Sequence, residues 1–160
     1  MDPREQSLQE AYQRVSEHFP NVVIVAEAQF VGETGQPQFT QMLRWYGCST
    51  TATGLIVYAS DLLCRTFGER PPPPPGTPQP APQSQKIPTP TPIQEEALNK
   101  ALEILGTQFV CSVVVAQGEP ELVARGERSV KLIRCTGAPT MVAGLAQFAA
   151  NAMRRMAVDL

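Results

Sequence analysis

The chain is poor in the residues that carry most enzyme and metal chemistry. It has a single histidine, His18, in 160 residues, and its four cysteines (Cys48, Cys64, Cys111, Cys135) include no C-x-x-C pair. That leaves no zinc spacing to build on and predicts no metal and no cofactor. Without an export signal it also predicts reduced thiols. There is neither a Walker A loop nor a G-x-G-x-x-G turn, so no standard phosphate loop is present. Charged residues are only 18% of the chain, and the formal net charge of -2 exerts no general pull on phosphate backbones. Nucleic acid is therefore not an expected partner. No apolar run approaches the 18 residues of a membrane span, and Met1 to Gln6 is polar, with no secretory core. The expectation is a soluble cytoplasmic protein with no membrane partner.

What the sequence does have is a stretch that occurs twice. Gly54-Leu55-Ile56-Val57-Tyr58-Ala59-Ser60-Asp61-Leu62-Leu63-Cys64-Arg65 is answered by Gly144-Leu145-Ala146-Gln147-Phe148-Ala149-Ala150-Asn151-Ala152-Met153-Arg154-Arg155, at an offset of 90. Leu8 and Ala11 match Leu98 and Ala101 at the same offset. Each long copy follows a β-rich segment ending in a cysteine and a hydroxyl residue, Cys48-Ser49 and Cys135-Thr136. This reads as an internal duplication. Gly54 and Gly144 are then expected where a helix packs closely, and Asp61 and Asn151 as a polar pair near a symmetry axis or as ordinary hydrogen-bonded residues.

Residues 7–19 have helical spacing, with Ser7 as N-cap, Glu10 as its capping-box partner and Pro20 as the stop. Val22 to Val31 reads as a buried strand, Gly32-Glu33-Thr34-Gly35 as a hairpin turn, and Phe39 to Tyr46 as the returning strand. Thr50 to Phe67 is the first signature helix. Eleven of residues 71–92 are proline, which fits a polyproline II spacer better than a recognition motif. Glu95 to Leu105 is the next helix, with Gly106 as its cap. Phe109 to Ala116 is a strand, Gly118-Glu119-Pro120 a turn, Leu122-Val123-Ala124 the return, and Gly126 a bulge. Ser129 to Arg134 completes the sheet, and Thr140 to Val158 is the second signature helix. The fold class is α+β: two α-β-β-α units, 1–68 and 93–160, joined by a Pro-rich linker, 69–92. They form a pseudo-two-fold antiparallel sheet with packed helices, paired within one chain or between two.

The candidate site is the repeated strand-to-helix junction. Exposed N–H groups at a helix start, with the helix dipole, favour an anion. Ser49, Thr50, Thr136, Gly137 and Thr140 lie at these starts beside Cys48 and Cys135. Arg44, Lys131 and Arg134 would supply charge, and Tyr46 (with Trp45) an aromatic face. The function this implies is non-enzymatic binding of an anionic small molecule, a nucleotide-type signal or phosphorylated metabolite, at the duplicated junctions. In physical type, though on no shared motif, that is akin to the sequestering proteins phages use against bacterial immunity. The plain reading is that the hydroxyls only cap helices. The alternative function is a protein–protein interaction or assembly module with a Pro-rich spacer. A cysteine nucleophile at Cys48 or Cys135 is a minor reading, because a catalytic thiol usually needs a base and the only histidine, His18, falls on the first helix. Glu27, Glu33, Glu119, Glu121 and Glu127 read as solvated turn charges, and Arg154 and Arg155 as favourable charge at a helix end.

Overall fold

The computed structural model describes residues 2–67, 92–117 and 131–158. Helix α1 runs Pro3–Ser16, four residues ahead of its expected start. Asp2 caps it, accepting the Arg4 N–H at 3.0 Å, and Pro3 fits the first helical position, where an N–H would go unbonded anyway. Ser7 therefore lies inside the helix. Strands β1 (Asn21–Val31) and β2 (Pro37–Tyr46) form the expected hairpin. Its turn closes with Gly35 donating to the Gly32 carbonyl at 2.9 Å, and Gly35 takes a φ of 78° that an L side chain rarely adopts. Helix α2 (Ser49–Phe67) follows at once.

In the second half, α3 spans Pro92–Gly106, β3 Cys111–Gln117, β4 Lys131–Thr136 and α4 Pro139–Val158. Gly106 is the last residue of α3 and does not take the left-handed cap conformation expected of it. The Pro-rich linker, the Gly118-Glu119-Pro120 turn, Leu122 to Ala124 and Gly126 lie outside the described residues.

The four strands form one antiparallel sheet in the order β2-β1-β3-β4. Helices cover both faces, which makes Val22 to Ala26 and Val113 to Ala116 of the middle strands apolar on consecutive residues rather than on alternate ones. Val22, Ile24, Ala26 and Ala28 pack with Val114 and Ala116 beneath α1 and α3. Val23 and Val25 pack with Val113 and Val115 beneath α2 and α4. The two long helices lie side by side, and the Cys64 thiol near the end of α2 reaches the Ala143 carbonyl near the start of α4 at 4.0 Å.

Gly54 and Gly144 are not at the contact between these helices. Both are exposed, and a Cβ built on either meets nothing within 4 Å. Leu55, Ile56 and Ala59, with Leu145, Ala146 and Ala149, fill the interface instead. Asp61 also faces solvent, in an exposed ion pair with Arg65 on its own helix, and Asn151 is exposed.

Candidate functional site

The chain leaves β2 through Gly47, at φ 100°, and leaves β4 through Gly137, at φ 114°. Each glycine is forced twice over, by its φ and by close backbone: a Cβ on Gly47 would collide with the Pro20 carbonyl, and one on Gly137 with that of Val110. Each helix then opens with the same bond, Ala52 N–H to Cys48 O at 2.9 Å and Val142 N–H to Ala138 O at 3.0 Å. Cys48 and Ala138 thus hold corresponding places, and Cys48 and Cys135 do not. Sequence matching aligned the cysteines by residue type, whereas the glycine turns set the true correspondence.

The two thiols differ accordingly. Cys48 is exposed, and hydrogen bonds from the Thr51 and Thr50 N–H groups hold its thiol below the usual range. Cys135 is a strand residue opposite Val113. Although exposed as a residue, its sulfur is desolvated enough to push the thiol up, so the expected helix-start position is corrected. Thr136 is also in β4, its hydroxyl 2.8 Å from that of Ser112. Ser49, Thr50 and Thr140 do lie in the first turns of their helices, exposed.

The expected anion-binding residues are not gathered in one place. β2 and β4 are opposite edges of the sheet, three strand spacings apart, or roughly 14 Å. Tyr46 is level with Val22, whereas Thr136 is level, through Ser112, with Ala26. The two chain exits therefore point off opposite ends. The faces differ too. Tyr46 meets Tyr12 of α1 edge-on at 6.1 Å, and Arg44 shares its side of the strand. Arg134, opposite Val114, looks to that same α1/α3 side. Helices α2 and α4 start on the other side. Arg44 and Arg134 each donate only to the preceding carbonyl, Leu43 O at 3.3 Å and Ile133 O at 3.1 Å. Lys131 is on the α2 side, its ammonium 4.4 Å from the centre of the Tyr58 ring.

One shallow pocket of about 160 Å³ lies between α1 and α3, rimmed by Arg14, Glu17, Glu96 and Lys100. Among the described residues, no three or more His, Cys, Asp or Glu are grouped to hold a metal, and no helix is long and apolar enough to cross a membrane.

The feature the sequence reading missed is the outer edge of β2, which no strand among the described residues pairs. Gly32 N–H donates to the Gln36 carbonyl at 3.1 Å, which fixes the phase of the hairpin ladder. Bonded pairs recur every second residue, at Gln38, Thr40, Met42, Arg44 and Tyr46. The peptide groups of Phe39, Gln41, Leu43 and Trp45 therefore face away from β1. β2 has ten residues and one charge, Arg44, with Phe39 49% and Trp45 37% exposed. β4, at the other edge, carries Lys131 and Arg134 within its span Lys131–Thr136. The alternation Phe39-Gln41-Leu43-Trp45 was visible beforehand, but nothing within one strand says whether it has one neighbour or two. Comparison with protein-family models, with curated proteins and with solved structures finds no match to this chain.

Proposed function

We propose that this chain is an assembly module, an internally duplicated pseudo-dimer that joins another protein strand along β2. The observation that carries the reading is the β2 edge, which no strand among the described residues pairs: four outward peptide groups on a long, nearly uncharged strand with exposed aromatic side chains. Such an edge is a template for another strand, and proteins that do not use one usually blunt it with charge or shortness. β4 is blunted by charge, carrying Lys131 and Arg134.

The duplication rests on more than the sequence repeat. The β1–β2 register shifted by 90 is the β3–β4 register, since Val22 faces Tyr46 and Ser112 faces Thr136. Ile24 faces Val114, its own match at that offset, across the central pair. A two-fold axis through this pair would exchange the halves, and it accounts for the matching glycine turns. It also accounts for α1 and α3 ending alike: Phe19 donates to Val15 and Phe109 to Leu105. Binding of an anion is the less favoured reading, because such an axis holds the two junctions apart rather than together.

A photoreactive side chain in place of Gln41, with a control in place of Arg134, tests the proposal in the native cell. The Gln41 probe should give one discrete heavier adduct and the Arg134 probe none. No adduct from either, together with a rise of several degrees in melting temperature on adding phosphate or nucleotides, would return the function to anion binding.

A further inference from the structure

We infer that the strand which completes the β2 edge is β2 of a second copy of this chain, running antiparallel about a two-fold axis beside Met42. The inference rests on reading that edge as an assembly surface. The outward peptide groups fall at alternate positions, so the strand is complementary to its own copy. With Met42 on the axis, Phe39 faces the copy's Trp45, and Gln41 faces the copy's Leu43. All four outward residues of each chain then pair.

The side chains agree with this register. Phe39 meets Trp45 twice, once on each side of the axis, and facing aromatic residues are among the favourable cross-strand pairs. Arg44 faces Thr40, and the two Arg44 side chains stay about 13 Å apart along the strands. No like charges meet.

The alternative edge argues for the same partner. Pairing β2 with β4 of another copy would add Lys131 and Arg134 to a strand already carrying Arg44. It would also leave a free β2 at one end and a free β4 at the other, so growth would never close. Pairing β2 with β2 closes after two chains. It makes one eight-stranded sheet whose two outer edges are both the basic β4.

Light scattering of the purified chain over a hundred-fold concentration range is the test. The expected mass is twice the 17.4 kDa of the chain. Phe39→Lys with Trp45→Lys should weaken dimerisation at least ten-fold. Phe39→Glu with Trp45→Lys should restore it, because each new carboxylate faces a new ammonium across the axis. All four positions changed in these variants, two in each chain, are exposed, so melting temperatures should stay near that of the parent. A chain that remains monomeric throughout overturns the inference, as do two double variants that behave alike. The two readings fail separately. A monomeric chain whose Gln41 probe gives an adduct of some other mass rules out the second copy and leaves the assembly reading standing, and an adduct from neither probe sinks both.

Discussion

The two halves of the chain share a plan and differ at their outer strands. α1-β1-β2-α2 and α3-β3-β4-α4 run in the same order and share a hairpin register. Inside, corresponding places hold similar residues: Leu8 and Leu98, Ala11 and Ala101, and Phe19 and Phe109 are all buried. At the edges the match is only partial: Arg44 and Arg134 agree, but Trp45 is answered in place by Cys135, Gln41 by Lys131 and Tyr46 by Thr136. Packing constrains the interior of both halves in the same way, because a buried side chain must fill the space left by its neighbours. An edge has no such neighbour. Whatever distinguishes the halves in use is expected there.

The largest expected effect checks whether the interiors are as alike as they look. Leu8→Ala and Leu98→Ala each empty a fully buried place beneath the same sheet face. Each should cost about 2–5 kcal/mol, with the two within about 1 kcal/mol of each other. Chemical denaturation measures both, and one near-zero value would break the correspondence between α1 and α3.

A smaller effect sharpens the contrast at the strand starts. Cys111 begins β3 and is fully buried, whereas Asn21 holds that place in β1 and does not titrate. Burial, with Glu27 and Cys135 adding to it, pushes the Cys111 thiol from an ordinary 9.0 up to about 11. The folded value is the higher one, so this stability is fully present below about pH 9 and is lost as pH rises toward 11. Two units correspond to about 2–3 kcal/mol. Denaturation at a series of pH values should show that decline in the parent and a flatter profile in Cys111→Ala. Equal slopes in the two proteins would mean that the thiol is not held neutral by the fold.

The smallest effect concerns the outer surface of α2 and α4. Gly54 and Gly144 are helical, exposed and free of steric contact. Replacing either with alanine should stabilise the chain by about 0.5–1 kcal/mol, since glycine loses more backbone freedom on folding. A loss of stability in the Gly54→Ala or Gly144→Ala protein would reveal a packing role that the structure does not contain.

Much of the fold was legible beforehand. The short, β-branched apolar run Val22 to Ala26 read as a buried strand, and the Leu8-Ala11-Val15 spacing as one helical face. The exact start of α1 was not legible, because Ser7 and Asp2 both make acceptable caps and Pro3 tips the balance toward Asp2. The candidate site was legible only in part. Ser49, Thr50 and Thr140 stand at helix starts as read, but Cys135 and Thr136 are strand residues, and Arg44 and Arg134 lie across the sheet from the helix they were paired with. Strand alternation decides that last point, since a shift of one residue turns a side chain to the other face.

The sequence by itself determined the kind and order of the elements, because hydrophobic periodicity and turn residues act over a few neighbours. It also carried the 90-residue offset that the strand registers later matched. Only the tertiary structure decided that β1 and β3 meet in the middle, which puts β2 and β4 at opposite edges and their exits at opposite ends. Strand order is a choice among distant pairings of similar local stability, and no local pattern records it. That one choice separated the two helix starts and left the peptide groups of Phe39, Gln41, Leu43 and Trp45 without a neighbouring strand among the described residues.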